Sequence, residues 1–164
     1  MSPQEPSAGD GAAPEDAAVA LDAGTGSVTG LRLASAVMIV TELHHSITFY
    51  EELLGWQVAV ADDEAALLVG PEGFELYLRA MGPGTQHPLG FVGIQYLIWT
   101  ATDEADLRRC EDVLRRQSTQ VTITAGDGFT LLEGRGPDHV PVLVTYPGPD
   151  QVPRHEILQR IYSW

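Results

Sequence analysis

Lysine is absent from this 164-residue chain, and arginine supplies all nine basic residues against 23 acids. The formal charge of −14 repels phosphate backbones and anionic lipid, which argues against nucleic acid or a membrane surface as a partner. Cysteine occurs once, at Cys110. One thiol cannot close an internal disulfide, and Cys110 has no C-x-x-C neighbour, so it reads as a packed structural group. Long apolar runs are missing too: the stretch from Ala34 to Val40 is far shorter than the roughly 20 residues of a membrane span. The first residues show neither a basic start nor an apolar leader core, so the chain is expected to be soluble and cytoplasmic. Also missing are a Gly-rich phosphate loop, a G-x-S-x-G elbow and a zinc spacing.

What remains is 44% hydrophobic, enough for a substantial core. Residues 1–29 hold five carboxylates (Glu5, Asp10, Glu15, Asp16 and Asp22) with no base and no aromatic ring, and read as a disordered acidic tail. From Leu31 an apolar β-type run leads to Thr41-Glu42, where helical spacing begins through Leu43, Ile47, Tyr50, Leu53 and Leu54. Thr41 is the expected N-cap and Gly55 the expected stop. Strands are expected over 56–61, 65–69 and 74–80, with a turn at Pro71-Glu72-Gly73.

After the connector MGPGTQHPLG the same order returns. GIQYLIWTA is strand-like, and a helix from Thr102-Asp103 places Leu107, Cys110, Val113 and Leu114 on one face. Three strands follow over 120–125, 129–133 and 140–146, with a turn at Gly136-Pro137-Asp138. The stretch VPRHEILQRIYSW has helical spacing through Ile157, Leu158 and Ile161. The expected architecture is α+β: two tandem βαβββ modules, about 31–81 and 92–148, within a domain over 30–148, forming a cup-shaped mixed sheet, plus a C-terminal helix over 149–164.

The segment ASAVMIVTELHHSITFYEELLGW resembles the opening of vicinal oxygen chelate proteins, the group of glyoxalase I, extradiol dioxygenases, fosfomycin-resistance enzymes and bleomycin-binding proteins. The likeness rests on Glu42-Leu43 after the first strand, on Phe49-Tyr50 and Leu54-Gly55 in the helix, and on the closing turn Gly136-Pro137-Asp138. It implies a dimer and, in the metal enzymes of the group, four ligands on cup-facing strands. By pattern those positions fall on Ser35, Tyr77, Gln95 and Leu143. Only Gln95 is of a type such sites use, so no metal cofactor is expected.

Residues two apart on a strand share a face. Ser35, Val37 and Ile39 are therefore expected to line one pocket with Glu75, Tyr77, Arg79, Gln95, Leu97, Trp99, Leu143 and Thr145. Such a lining is mostly apolar with two aromatic rings that could stack on a flat ligand. Glu75 is the candidate acid or base, with Tyr77 beside it. His44 and His45 diverge by about 100° around the first helix turn and read as surface groups. His87 and His139 read as loop residues, and His155 as structural.

Three readings follow. The first is a metal-independent protein of the bleomycin-resistance type that binds a flat or amphipathic metabolite or antibiotic. The second is an isomerase, cyclase or lyase using Glu75, Tyr77 or Gln95, and the third is an interaction subunit whose cup is filled by side chains. The expected partners are a small organic ligand and a second copy of the chain.

Overall fold

A computed structural model of the chain describes residues 33–84, 92, 94–126 and 128–148. The expected acidic tail, the expected C-terminal helix, His87 and His155 lie outside the described residues.

The first half runs β1 (Ser35–Val40), α1 (Leu43–Leu54), β2 (Gln57–Ala61), β3 (Ala65–Val69) and β4 (Glu75–Ala80). The second runs β5 (Leu97–Thr100), α2 (Glu104–Gln117), β6 (Thr122–Gly126), β7 (Phe129–Arg135) and β8 (Pro141–Tyr146). Each half forms one four-stranded mixed sheet, in the orders β1-β4-β3-β2 and β5-β8-β7-β6. In both, the first strand pairs parallel with the last, and the other neighbours are antiparallel. The βαβββ repeat is thus real in topology although the two halves share few residues.

Local chemistry explains the helix ends. Gly55 adopts φ 66°, which a Cβ would disfavour, and its N–H closes the last turn of α1 on the Glu51 carbonyl at 2.9 Å. At the other end Glu42, not Thr41, is the N-cap, and its side chain caps nothing. Thr41 is taken elsewhere: its N–H and its hydroxyl both donate to the Asp138 carboxylate. On α2 the cap follows the expected chemistry. Asp103 accepts the Asp106 N–H at 2.8 Å, acids fill the first turn, and Arg115 and Arg116 fill the last, which suits the helix dipole.

Period-two alternation sets the sheet faces. On β4, Leu76 and Leu78 are fully buried in the core that α1 also enters, while Tyr77 and Arg79 face outward. Strand β8 is buried on both sides. Its Val142 and Val144 join the main core with Leu114 and Leu132, while Leu143 packs against Phe129, Leu131, Tyr96 and Ile98. Two glycines permit close approaches. A Cβ on Gly134 would lie 3.1 Å from Leu114, and one on Gly70 would lie 2.1 Å from the Trp56 indole.

The halves are tied together beside the helices. Arg109 donates to the carbonyls of Glu52 and Leu53, Arg116 pairs with Glu52 at 2.7 Å, and His45 bonds Gln117 at 3.0 Å. Trp56 and Trp99 meet edge to face with centroids 5.8 Å apart.

Candidate binding cavities along the seam

Strands β1 and β5 are the inner edges of the two sheets, and among the described residues each is hydrogen-bonded to a strand on one side only. Two cavities of about 700 and 440 Å³ lie along these edges, and Leu33, Ser35, Ala36, Leu97 and Trp99 border both. The larger sits where β1 ends and β5 begins, at Thr41, Ile94 and Gln95. The smaller sits where β1 begins and β5 ends, at Ala34, Thr100 and Ala101.

The internal repeat reappears in these cavities. Helix α1 sends Tyr50 to the larger one and α2 sends Cys110 to the smaller; the two Pro-initiated turns send Asp138 and Glu72 respectively. Asp138 and Glu72 hold the same left-handed backbone, φ 60° and 59°, and in each turn the preceding glycine N–H bonds a carbonyl four residues on at 2.9 Å. Beyond this the copies diverge. Asp138 clasps Thr41 across the seam, whereas Arg109, Asp106 and Cys110 crowd the smaller cavity and bond one another or the end of α1.

The polar end of the larger cavity is built by Tyr50, Asp138, Thr41 and Gln95. Tyr50 is only 2% exposed, and its hydroxyl has no hydrogen-bond partner among the described residues. Tyr50 borders the larger cavity within electrostatic reach of Asp138. Burial, and then the negative charge of Asp138, push the Tyr50 phenol well above its ordinary pKa, which keeps it a proton donor. Cys110 in the smaller cavity is buried and its thiol reaches the Leu53 carbonyl at 3.4 Å. Burial raises its pKa despite the opposing charge of Arg109 and so favours the protonated thiol.

The sequence-derived site divides on these walls. Ser35, Val37, Gln95, Leu97 and Trp99 border the larger cavity, and Glu75 borders the smaller. Tyr77 and Arg79 border neither. They lie on the outward face of β4, level with Val37 and Ile39 of β1. There Tyr77 donates its hydroxyl to Glu75 at 2.8 Å, and this bond raises the Tyr77 pKa.

Leu143 and Thr145 are buried, and the expected face shared with Leu97 and Trp99 needs correcting. The parallel register pairs Leu97 with Val142 and Trp99 with Val144, so these two point toward the helices. Leu143 and Thr145 pair instead with Ile98 and Thr100 on the opposite side. A one-residue offset between strands read independently exchanges the faces of a whole strand.

Sequence reasoning assigned Tyr50 to the core and Asp138 to a turn. Both assignments hold, yet both residues also reach the cavity. Only the 97-residue separation closed by the Thr41–Asp138 bonds reveals their proximity. His44, His45 and His139 are exposed. Among the described residues there is no group of three or more His, Cys, Asp or Glu that could hold a metal ion, and of the four positions expected by pattern Leu143 has no donor atom.

On the outward face of the first sheet an apolar row crosses all four strands: Val37, Tyr77, Leu67 and Val60 are consecutive register partners. Val37 is 68% and Val60 64% exposed. Among the described residues no helix is long and apolar enough to cross a membrane.

Residues 32–141 match the profile of the Glyoxalase/Bleomycin resistance protein/Dioxygenase superfamily. No curated protein matches the sequence. Among solved structures the chain is similar to a glyoxylase/bleomycin resistance protein/dioxygenase domain from Frankia sp. (22% identity, TM-score 0.60, 73% of this chain and 98% of that one). It is also similar to a glyoxalase/bleomycin resistance protein from Albidiferax ferrireducens (18%, TM-score 0.56, 68% and 95%). A glyoxalase/dioxygenase from Nostoc punctiforme aligns over more of the chain (16%, TM-score 0.55, 85% and 97%). At these identities the likeness speaks for the fold alone.

Proposed function

Because this chain belongs to the glyoxalase/bleomycin resistance protein/dioxygenase superfamily, we propose that it is a small-molecule binding protein that holds a flat or amphipathic organic ligand in the larger seam cavity without a metal ion. The observation that carries this reading is the cavity itself. Its volume of about 700 Å³ suits a small organic molecule, and its walls are mainly β-strand aliphatic groups and Trp99 with a few polar groups. Metal independence is supported by the residue types at the pattern positions, where Ser35, Tyr77, Gln95 and Leu143 stand in place of the imidazole and carboxylate of a metal enzyme. A small organic ligand is therefore the principal partner. A second copy of the chain is the other, supported by the exposed apolar row on the first sheet.

The test is a panel of aromatic and amphipathic metabolites and antibiotics, followed both by calorimetry and by chromatographic analysis of the recovered ligand. Binding without conversion is the expected result. A second reading, a metal-independent isomerase, cyclase or lyase, rests on the Tyr77–Glu75 bond, which couples a phenol to a carboxylate on the open face of β4. Conversion that disappears in Glu75→Gln would establish that reading and displace the first. One tightly held Fe, Mn, Ni or Zn per chain, found by elemental analysis of the purified protein, would defeat both.

A further inference from the structure

The larger cavity is bordered by a hydrogen-bond donor and an acceptor within electrostatic reach of each other, Tyr50 and Asp138, and the family resemblance gives neither a part in binding. The Tyr50 hydroxyl is the donor: it has no partner among the described residues although the residue is almost wholly buried. A ligand that fills the cavity shields this residue from water, so one that offers the hydroxyl an acceptor is favoured over one that leaves it unmatched. The Asp138 carboxylate is the acceptor. The Thr41 N–H and hydroxyl fix its orientation, one to each oxygen, and each oxygen keeps a further lone pair. Among the described lining residues there is no Arg or His to neutralise it. Arg135, the nearest arginine in sequence, reaches the His139 carbonyl, and neither it nor the adjacent His139 borders the cavity.

From this pairing we infer that the cavity selects an uncharged amide-like head group, a carboxamide or lactam, carried on a flat apolar body. The head's carbonyl accepts from Tyr50 and its N–H donates to Asp138, while the body lies against Trp99, Leu97 and Val37. A carboxylate of the same shape is rejected because it has no proton to offer Asp138 and repels it. This inference rests on the proposed binding function and adds the class of ligand to it. Pairing of this kind discriminates strongly, because the wrong head leaves buried polar groups unmatched.

The experiment uses four probes on one ring system, titrated by calorimetry in about 0.15 M salt, where charges are screened over about 8 Å. They are 1-methylnaphthalene, 1-naphthaleneacetamide, 1-naphthaleneacetate and 1-naphthylmethylamine. The amide is expected to bind about tenfold or more tighter than the acetate. Asp138→Asn should bring that ratio close to one, and asparagine accepts the left-handed backbone at this position as readily as aspartate does. Tyr50→Phe keeps the ring in the core and should weaken the amide severalfold while leaving methylnaphthalene unchanged.

An acetate that binds as well as the amide overturns the inference. So does a preference that survives Asp138→Asn, which would assign it to the overall charge of −14. An amine tighter than the amide replaces the uncharged class with a cation. If methylnaphthalene and every other probe fail to bind the folded protein, the binding function itself falls, and the head-group inference with it.

Discussion

Ser46 and Tyr50 lie one helical turn apart on the buried side of α1, and their hydroxyls meet opposite circumstances. Tyr50 reaches a cavity, whereas the Ser46 Oγ is enclosed with no hydrogen-bond partner. An enclosed, unmatched hydroxyl contributes a desolvation cost of about 1–3 kcal/mol and nothing in return. Ser46→Ala is therefore expected to leave the melting temperature unchanged or to raise it, where most core substitutions lower it. Asp106 supports a pH prediction. Burial tends to raise its pKa, but the Thr102 N–H and the Arg109 guanidinium outweigh burial and the net shift is downward. A carboxyl whose folded pKa is depressed stabilises the fold above its unfolded value near 3.8, and this contribution fades as pH falls through the lower folded value. The gap in melting temperature between the parent chain and Asp106→Asn should therefore stay constant from neutrality to about pH 4 and close below it. At this scale the sequence was informative about type and poor about neighbours: Cys110 reads correctly as buried, but nothing local ties Asp138 to Thr41.

Element boundaries were largely legible because they depend on chemistry within a few residues. Gly55 ends α1, Asp103 caps α2, and the strand candidates agree with β2, β3, β4, β7 and β8 to within about two residues. Two exceptions are instructive. Thr41 is the better N-cap by residue type, yet it serves Asp138, so a tertiary bond overrides a local preference. Strand β5 (Leu97–Thr100) lies within the run GIQYLIWTA but starts after Gln95, and its inward side differs from the expected one, since its register is set by β8 some 45 residues later. The turn before β4 yields a sharp test. Gly70 has ordinary negative φ, so Gly70→Ala carries no backbone strain, but its Cβ would stand 2.1 Å from the Trp56 ring. Displacing that indole also disturbs its contact with Trp99 at the seam. The substitution should cost about 1–3 kcal/mol, seen as a lower denaturation midpoint with an unchanged m-value.

For the whole molecule, the open question of partners falls to the outward face of the first sheet. The row from Val37 through Tyr77 and Leu67 to Val60 leaves apolar surface exposed across four strands. A second copy covering it would remove that surface from water. Sedimentation equilibrium is expected to return twice the chain mass of 17.7 kDa, and Val60→Glu, on β2 and bordering neither seam cavity, should return the single mass with the fold intact. A single mass for the parent chain at micromolar concentration would refute the dimer.

Composition and periodicity by themselves determined that the chain is acidic, that its described part is α+β, and that one strand-helix-three-strand unit occurs twice. Those properties follow from charge counts, from 3.6- and 2-residue periods and from turn residues, all of which act locally. The tertiary structure alone decided which edges face each other across the seam, which side of β5 is inward, and that Tyr50 and Asp138 share a cavity. The physical reason is that register and the docking of the halves minimise exposed apolar area over the whole chain. Residues 97 apart, such as Thr41 and Asp138, meet only when that packing is complete.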